Sequence, residues 1–400
     1  MNIFKKAFCR TFQAAMRMMI PLFPYREPEL VEGNEGVAEL LASRGIKRVM
    51  LVTGPRIRKR GLTEPLERLI TEREIELTVF SDTQPDPTSA NVEAARELYI
   101  EKGCEALIAF GGGSVMDCAK AVGARIARPK MPLAKMAGLI KIRRRIPMLI
   151  AVPTTAGSGS ETTVAAVIVD AETHHKYVIN DFALIPRYVL LDPAVTTGLP
   201  APLTATTGMD ALTHAVEAYI GRARTRATGR AAEEAVRLIL DNLERAYANG
   251  EDIEARADLL RASYLAGTAF TKSYVGYVHA VAHTLGGRYG IAHGHANAVL
   301  LPAVLRAYGK SAVKPLSELA FAIGLADASE SRESAAEKLI SHIEGMNARM
   351  KIPTSIDEIR EEDIPTLAKT AAREANPLYP VPALRSASEL EAIYRLVSGK

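Results

Sequence analysis

The stretch "CEALIAFGGGSVMDCAK", residues 104–120, decides the fold. Its first part is an unbroken apolar run, which reads as a strand buried on both faces; its second part returns apolar residues at helical spacing. Between them stand Gly111, Gly112, Gly113 and Ser114. Glycine lets backbone come close to a ligand, and the free N–H groups at a helix start favour an anion. The spacing is not G-x-G-x-x-G, and a bare tight turn would use the same glycines, so both readings stand for the loop alone.

Outward from this stretch, "IKRVMLVTG" (46–54), "IELTVFSD" (75–82) and "PMLIAVPTT" (147–155) repeat the short apolar run. Segments such as "SANVEAARELYIEKG" (89–103) carry helical periodicity between them. Strand and helix in alternation imply right-handed crossovers and a parallel sheet. After "YVLLDP" (188–193) strand signals stop, and "AAEEAVRLILDNLERAYANG" and "IEARADLLRASYLAGTAF" read as amphipathic helices. Four hundred residues exceed what one core usually sustains. The expected layout is an amphipathic extension over 1–30, a Rossmann-like α/β domain over 31–193 and an all-α domain over 194–400.

Apolar residues at 48% and charged residues at 24% fit a folded globular chain and exclude a disordered one. A net charge of +4 is too small to imply nucleic acid, and the short run Lys141, Arg143, Arg144 and Arg145 reads as a solvated loop. Cys9, Cys104 and Cys118 form no CxxC pair, which fits a reducing, cytoplasmic setting. No eighteen-residue apolar run occurs, so no membrane span is expected. Arg10 and Arg17 interrupt the N-terminal apolar stretch, which argues against a signal peptide. Phe4, Phe8 and Phe12 instead form one helical face beside Lys5, Lys6 and Arg10. That face is expected to dock on its own chain or on a sister subunit, with surface association of residues 1–24 with a membrane as the alternative.

A second small-residue loop, "PTTAGSGSET" (153–162), follows the next strand. In a parallel sheet both loops leave the carboxyl edge, where ligands bind. Two loops there fit a long phosphate-bearing cofactor, with hydroxyls of Thr154, Thr155, Ser158 and Ser160 as donors. In the helical half, "TTGMDALTHAVEAYI" (206–220) sets Asp210 and His214 one turn apart, and Glu217 continues that face. "HAVAHTLGGRYGIAHGHANA" (279–298) holds four of the eight histidines. His279 and His283 share a face, and the glycine-rich turn lets His293 come back toward it. Asp210, His214, His279 and His293 together give one carboxylate and three imidazoles, a set suited to Fe²⁺ or Zn²⁺ rather than to Mg²⁺ or Ca²⁺. Satisfied core histidines are the alternative reading.

The blocks "GGGSVMDCAK", "PTTAGSGSE", "LDPAVTTGLPAPLTATTGMDALTHAVE" and "GYVHAVAHTLGGRYGIAHGHANA" closely resemble the iron-containing (group III) alcohol dehydrogenases, from about Val31 to the C-terminus. The resemblance implies the dehydroquinate synthase-like fold, a nicotinamide cofactor and an active site in the cleft between two domains. It places Asp210, His214, His279 and His293 as ligands of Fe²⁺, with Zn²⁺ as the alternative, and His283 beside the nicotinamide as a proton relay. It places Gly111, Gly112, Gly113, Ser114 and Asp117 at the pyrophosphate, Thr154, Thr155 and Ser158 on the cofactor, and Lys176 and Asp86 on the cofactor side. Where NAD-using members often carry a carboxylate after the first strand, this chain has Gly54, followed by Arg56, Arg58 and Lys59. Loss of the anion and gain of cations favour a 2′-phosphate, so NADP(H) is expected ahead of NAD(H). His295 departs from the family's small residue and is expected to point away from the ligands. The implied reaction is hydride transfer between a small alcohol or aldehyde and the nicotinamide, in a homodimer or larger homo-oligomer. A hydroxyacid or polyol-phosphate dehydrogenase and a dehydroquinate synthase-like lyase are the competing readings.

Overall fold

In the computed structural model, which describes residues 1–399, the expected strands form one parallel sheet. Its members are β1 (Glu29–Val31), β2 (Arg48–Val52), β3 (Glu76–Phe80), β4 (Ala106–Gly111), β6 (Met148–Pro153) and β9 (Tyr188–Leu190), in the order β1-β9-β6-β4-β2-β3. Val49 pairs with Ala106, and Ala106 with Met148, so β2, β4 and β6 run in register as the sheet's centre. Their side chains are almost wholly buried, which is why these strands read as continuous apolar runs.

The chain leaves β2 for β3 on one side and returns to β4 on the other. The direction of winding therefore reverses between β2 and β4, and a crevice opens at such a point beyond the carboxyl ends of the strands. Gly54 follows β2 there and Gly111 ends β4; Thr53 Oγ1 donates to Phe110 O at 2.8 Å and ties the two ends together.

A small second sheet was not expected from the sequence. It contains β5 (Gly138–Leu139), β7 (Ala165–Val169) and β8 (Lys176–Asn180) in the order β5-β8-β7, with β7 and β8 antiparallel. Asp170 turns the hairpin by accepting from the backbone N–H groups of Glu172 and Thr173.

Contacts divide the chain into Pro24–Gly198 and a second unit made of Met1–Phe23 with Leu199–Lys400. The second unit is helical, and its N-terminal helix Ile3–Met19 packs with it rather than standing as a separate extension. That helix docks on its own chain, but not through the phenylalanine face. Cys9 and Gln13 are the buried residues, whereas Phe4 and Phe8 are exposed. Four-residue periodicity reports an apolar face, whereas Gln13 docks by hydrogen bonding, which periodicity cannot register, so docking of that face on its own chain is corrected while the sister-subunit and membrane-surface alternatives are untouched.

Within the α/β unit, Lys120 is fully buried on the helix Gly113–Ala127. Its ammonium donates to five oxygens: Ser160 O and Oγ, Thr163 O and Oγ1, and Ala165 O, at 2.6–3.1 Å. Burial lowers its pKa to about 8, against the opposing pull of Asp117 and Glu161. Between that value and the ordinary lysine range the unfolded chain binds more protons, so this group makes stability rise with pH. Comparing urea midpoints of the wild type and Lys120→Met at about pH 7.5 and about pH 9.5 should show the difference moving in the wild type's favour at the higher pH.

Candidate cofactor loops and metal centre

The two small-residue loops of the α/β unit lie against each other. A Cβ built on Gly112 would stand 3.2 Å from Thr155 Oγ1, and one on Gly113 would stand 3.2 Å from Ser158 Oγ. A Cβ on Gly111 would meet Val115 Cγ2 at 2.5 Å. Side chains here would push the second loop away from the helix start, so the glycines keep the free N–H groups of residues 112–114 bare and close to hydroxyls. Asp117 does not face this space. It accepts from Ser160 Oγ and from Val167 N, both at 3.1 Å, and so braces the second loop. Lys176 and Asp86 pair with each other at 2.7 Å on the surface. Of the basic residues after Gly54, Arg58 is held by Glu67 and Thr63, and Arg60 donates to Gly198 O. Arg56 and Lys59 are exposed on the short helix Pro55–Lys59, whose N-cap is Gly54.

In the helical unit three helices supply the second cluster. Asp210 and His214 come from Ala201–Ile220, His279 from Tyr277–Tyr289 and His293 from the first position of His293–Tyr308. One ligand atom from each lies within 4.8 Å of every other. Asp210, His214 and His279 are buried, and His293 is exposed. The approach of His293 depends on Gly294, where any Cβ would run into the carbonyl of Thr206 on the Asp210 helix.

The orientation of each ring has a visible cause. His279 Nδ1 contacts Glu217 Oε2 at 2.6 Å. With Glu217 as acceptor, Nδ1 carries the proton and the Nε2 lone pair points at Asp210 and His293. Glu217 also accepts from Gly276 N and Val278 N, both at 2.8 Å. Burial pushes Glu217 up to about 7 despite these donors, and burial together with the neighbouring histidines holds His279 well below the usual histidine range. His214 is stacked between Phe270 and His279, with ring centroids 4.2 and 4.5 Å away.

The amide Nδ2 of Asn297 probes what these atoms offer. It lies 2.6 Å from Asp210 Oδ1, 3.2 Å from His279 Nε2 and 3.1 Å from His293 Nε2. Three lone pairs thus converge on one electropositive group, and the set fits a divalent ion that takes nitrogen and oxygen ligands. His295 lies outside this cluster. His283 stacks on His293 at 5.3 Å, and its Nδ1 contacts Glu374 Oε1 at 2.7 Å; Tyr379 donates to the same oxygen at 2.8 Å.

The structure therefore brings together Asp210, His214, His279, His293 and His283, and separately the loops around Gly111–Ser114 and Thr154–Ser158. Sequence reasoning missed Glu374 and Asn297, and saw Glu217 only as a continuation of a helix face. Glu217 alone had a local signal, three positions beyond His214.

Nitrogen and oxygen ligands on helices, in a chain whose parallel sheet carries phosphate-type loops, mark the class of metal-using dehydrogenases. Residues 30–193 match the iron-containing alcohol dehydrogenase family and residues 204–397 match the C-terminal domain of the Fe-containing alcohol dehydrogenase family. The chain is 38% identical over 386 residues to 1,3-propanediol dehydrogenase of Klebsiella pneumoniae, covering 94% of this chain and 99% of that protein. It is 36% identical over 349 residues to NAD-dependent methanol dehydrogenase of Bacillus methanolicus, covering 86% and 91%. A crystal structure of 1,3-propanediol oxidoreductase superposes with a TM-score of 0.89 at 36% identity, over 94% of this chain and 99% of that one. The chain belongs to the iron-containing alcohol dehydrogenase family, has its dehydroquinate synthase-like fold, and is an alcohol dehydrogenase or aldehyde reductase.

Replacing Glu217 by Gln removes one acceptor among three N–H donors and leaves His279 without a fixed tautomer. Divalent-metal binding, measured by titration against a competing chelator, is expected to weaken by about 10- to 100-fold.

Proposed function

We propose that the enzyme transfers hydride between a small alcohol or aldehyde and NADP(H), with Asp210, His214, His279 and His293 holding Fe²⁺. The observation that carries this reading is the convergence of those four ligand atoms with His279 fixed by Glu217. A bound divalent ion supplies Lewis-acid polarisation of the substrate oxygen, and the nicotinamide supplies the hydride-carrying carbon. Zn²⁺ satisfies the same donor set, so metal analysis of the purified protein decides between the two.

The chain's own groups do the remaining work. N–H groups at the start of Gly113–Ala127, with hydroxyls of Thr154, Thr155 and Ser158, bind the pyrophosphate. Asp117 and Lys120 hold the second loop in place. Lys176, paired with Asp86, stands on the cofactor side. His283 takes up or releases the proton of the substrate oxygen; with Nδ1 engaged by Glu374, exchange falls to Nε2. Its side chain is 43% exposed, so the proton has a route to solvent. Assembly as a homo-oligomer in the cytoplasm completes the reading.

The choice of NADP(H) rests on Gly54 and Arg56. No carboxylate stands at Gly54 to repel a 2′-phosphate, and Arg56 is exposed two positions on, whereas Arg58 is engaged elsewhere. The methanol dehydrogenase relative is described as NAD-dependent, so this preference would set the two apart. Measured kcat/KM should favour NADPH over NADH, and Arg56→Ala should shrink that ratio by about tenfold, as expected for one lost phosphate contact. A tenfold preference for NADH in the wild type would reject the assignment. His279→Ala should lose both metal and turnover; full activity retained in the presence of a chelator would contradict the proposed centre.

A further inference from the structure

The family match begins at residue 30, and the alignment that takes in 99% of the propanediol dehydrogenase leaves part of this chain uncovered. The helix Ile3–Met19 lies ahead of the residues that the family model matches. It is also firmly placed. Gln13 Nε2 donates to Tyr379 O at 2.7 Å and to Pro377 O at 3.1 Å, and the Arg10 guanidinium donates to Val381 O and Pro382 O at 2.8 and 2.9 Å. With Cys9 and Gln13 turned inward, the opposite face is held toward solvent.

That face is apolar. Phe4, Phe8 and Met18 are 83%, 61% and 73% exposed, and Leu22 beyond the helix is 81% exposed. Phe4, Phe8, Thr11, Ala15 and Met18 follow one another at alternating four- and three-residue steps, so they form a single stripe along the helix, apolar except at Thr11. Exposed Lys5, Lys6 and Arg17 flank it, and the first acidic residue of the chain is Glu27.

We propose that this stripe lies on a membrane surface that carries anionic phospholipid headgroups. The aromatic and methionine side chains would enter the boundary between headgroups and acyl chains, while the flanking cations meet lipid phosphates. Charge decides the occupant. The helix itself carries no Asp or Glu, so a second copy of it would set cations against cations, whereas an anionic lipid plane attracts them. Among the described residues no helix is long and apolar enough to cross a membrane, so the contact is one of lying on the surface.

The test is co-sedimentation of the full-length protein with vesicles of phosphatidylcholine alone and of phosphatidylcholine with about one quarter phosphatidylglycerol. Partitioning should rise at least about tenfold with the anionic lipid and fall sharply at about 0.5 M salt. It should be lost in the double variants Phe4→Ser with Phe8→Ser and Lys5→Glu with Lys6→Glu, while alcohol oxidation by the same preparations is unchanged. No binding by the wild type to either vesicle overturns the proposal, as does equal binding to neutral vesicles or binding retained by both variants. If the phenylalanine variant instead splits a larger assembly in vesicle-free sedimentation, the stripe is an interface between copies and the proposal fails. None of these outcomes depends on the cofactor or metal assignment.

Discussion

The helical unit depends on one buried carboxylate. Glu217 accepts from the N–H groups of Gly276 and Val278 and from His279 Nδ1, so a side chain on one helix caps the start of another sixty residues later. An anion at a helix N-terminus is favoured by the exposed donors and by the helix dipole. The contact needs Gly276, because a Cβ there would come within 2.6 Å of Glu217 Oε1. Asp210 and His214 ride on the same helix as Glu217, so the bond that orders the chain path also sets the distance from His279 to its neighbours. A carboxylate with three donors is costly to bury and far costlier to leave half-satisfied, which makes this arrangement all-or-none.

The α/β unit solves a similar problem with the opposite charge. Lys120 gathers five oxygens from the segment Ser160–Ala165, and Asp117, one turn earlier on the same helix, takes Ser160 Oγ and Val167 N. A loop rich in Gly and Ser has much conformational freedom to lose. Two charged side chains on the helix that follows the first loop hold the second loop still, so both loops behave as one rigid cradle.

Much of this was legible in the sequence, for physical reasons that differ from part to part. Central strands of a covered parallel sheet are apolar on both faces, so β2, β4 and β6 announced themselves, whereas three-residue β1 did not. The hairpin β7–β8 has Ala166, Ile168, Tyr177 and Ile179 inward, but Ala165, Val167, Val169 and Val178 on the other face are apolar too, so its alternation is blurred, and the polar turn between the strands interrupts it. Asp210 and His214 were visible because one helical turn puts them on one face; His293 joined them through a glycine-lined return whose geometry no spacing rule contains. Glu374, Asn297 and Lys120 act across 91, 87 and about forty residues of chain, and nothing local distinguishes them from ordinary surface or core positions. The phenylalanine stripe was seen, but of the three coverings the sequence allowed, its own chain, a sister subunit or a membrane surface, the exposed Phe4 and Phe8 exclude only the first, since hydrophobic periodicity identifies a face without saying what covers it.

The four converging ligand atoms are drawn from three helices that begin at Ala201, Tyr277 and His293. An ion held there adds one more tie between helices already joined by packing and by the hydrogen bonds of Glu217 and Asn297, and it binds a converged ligand set that exists only in the folded form. Its supply therefore sets how often those helices separate, by the ordinary law of mass action. In a cell short of that metal such a protein would be lost twice, first as a catalyst and then, through more frequent opening, as a substrate for proteases.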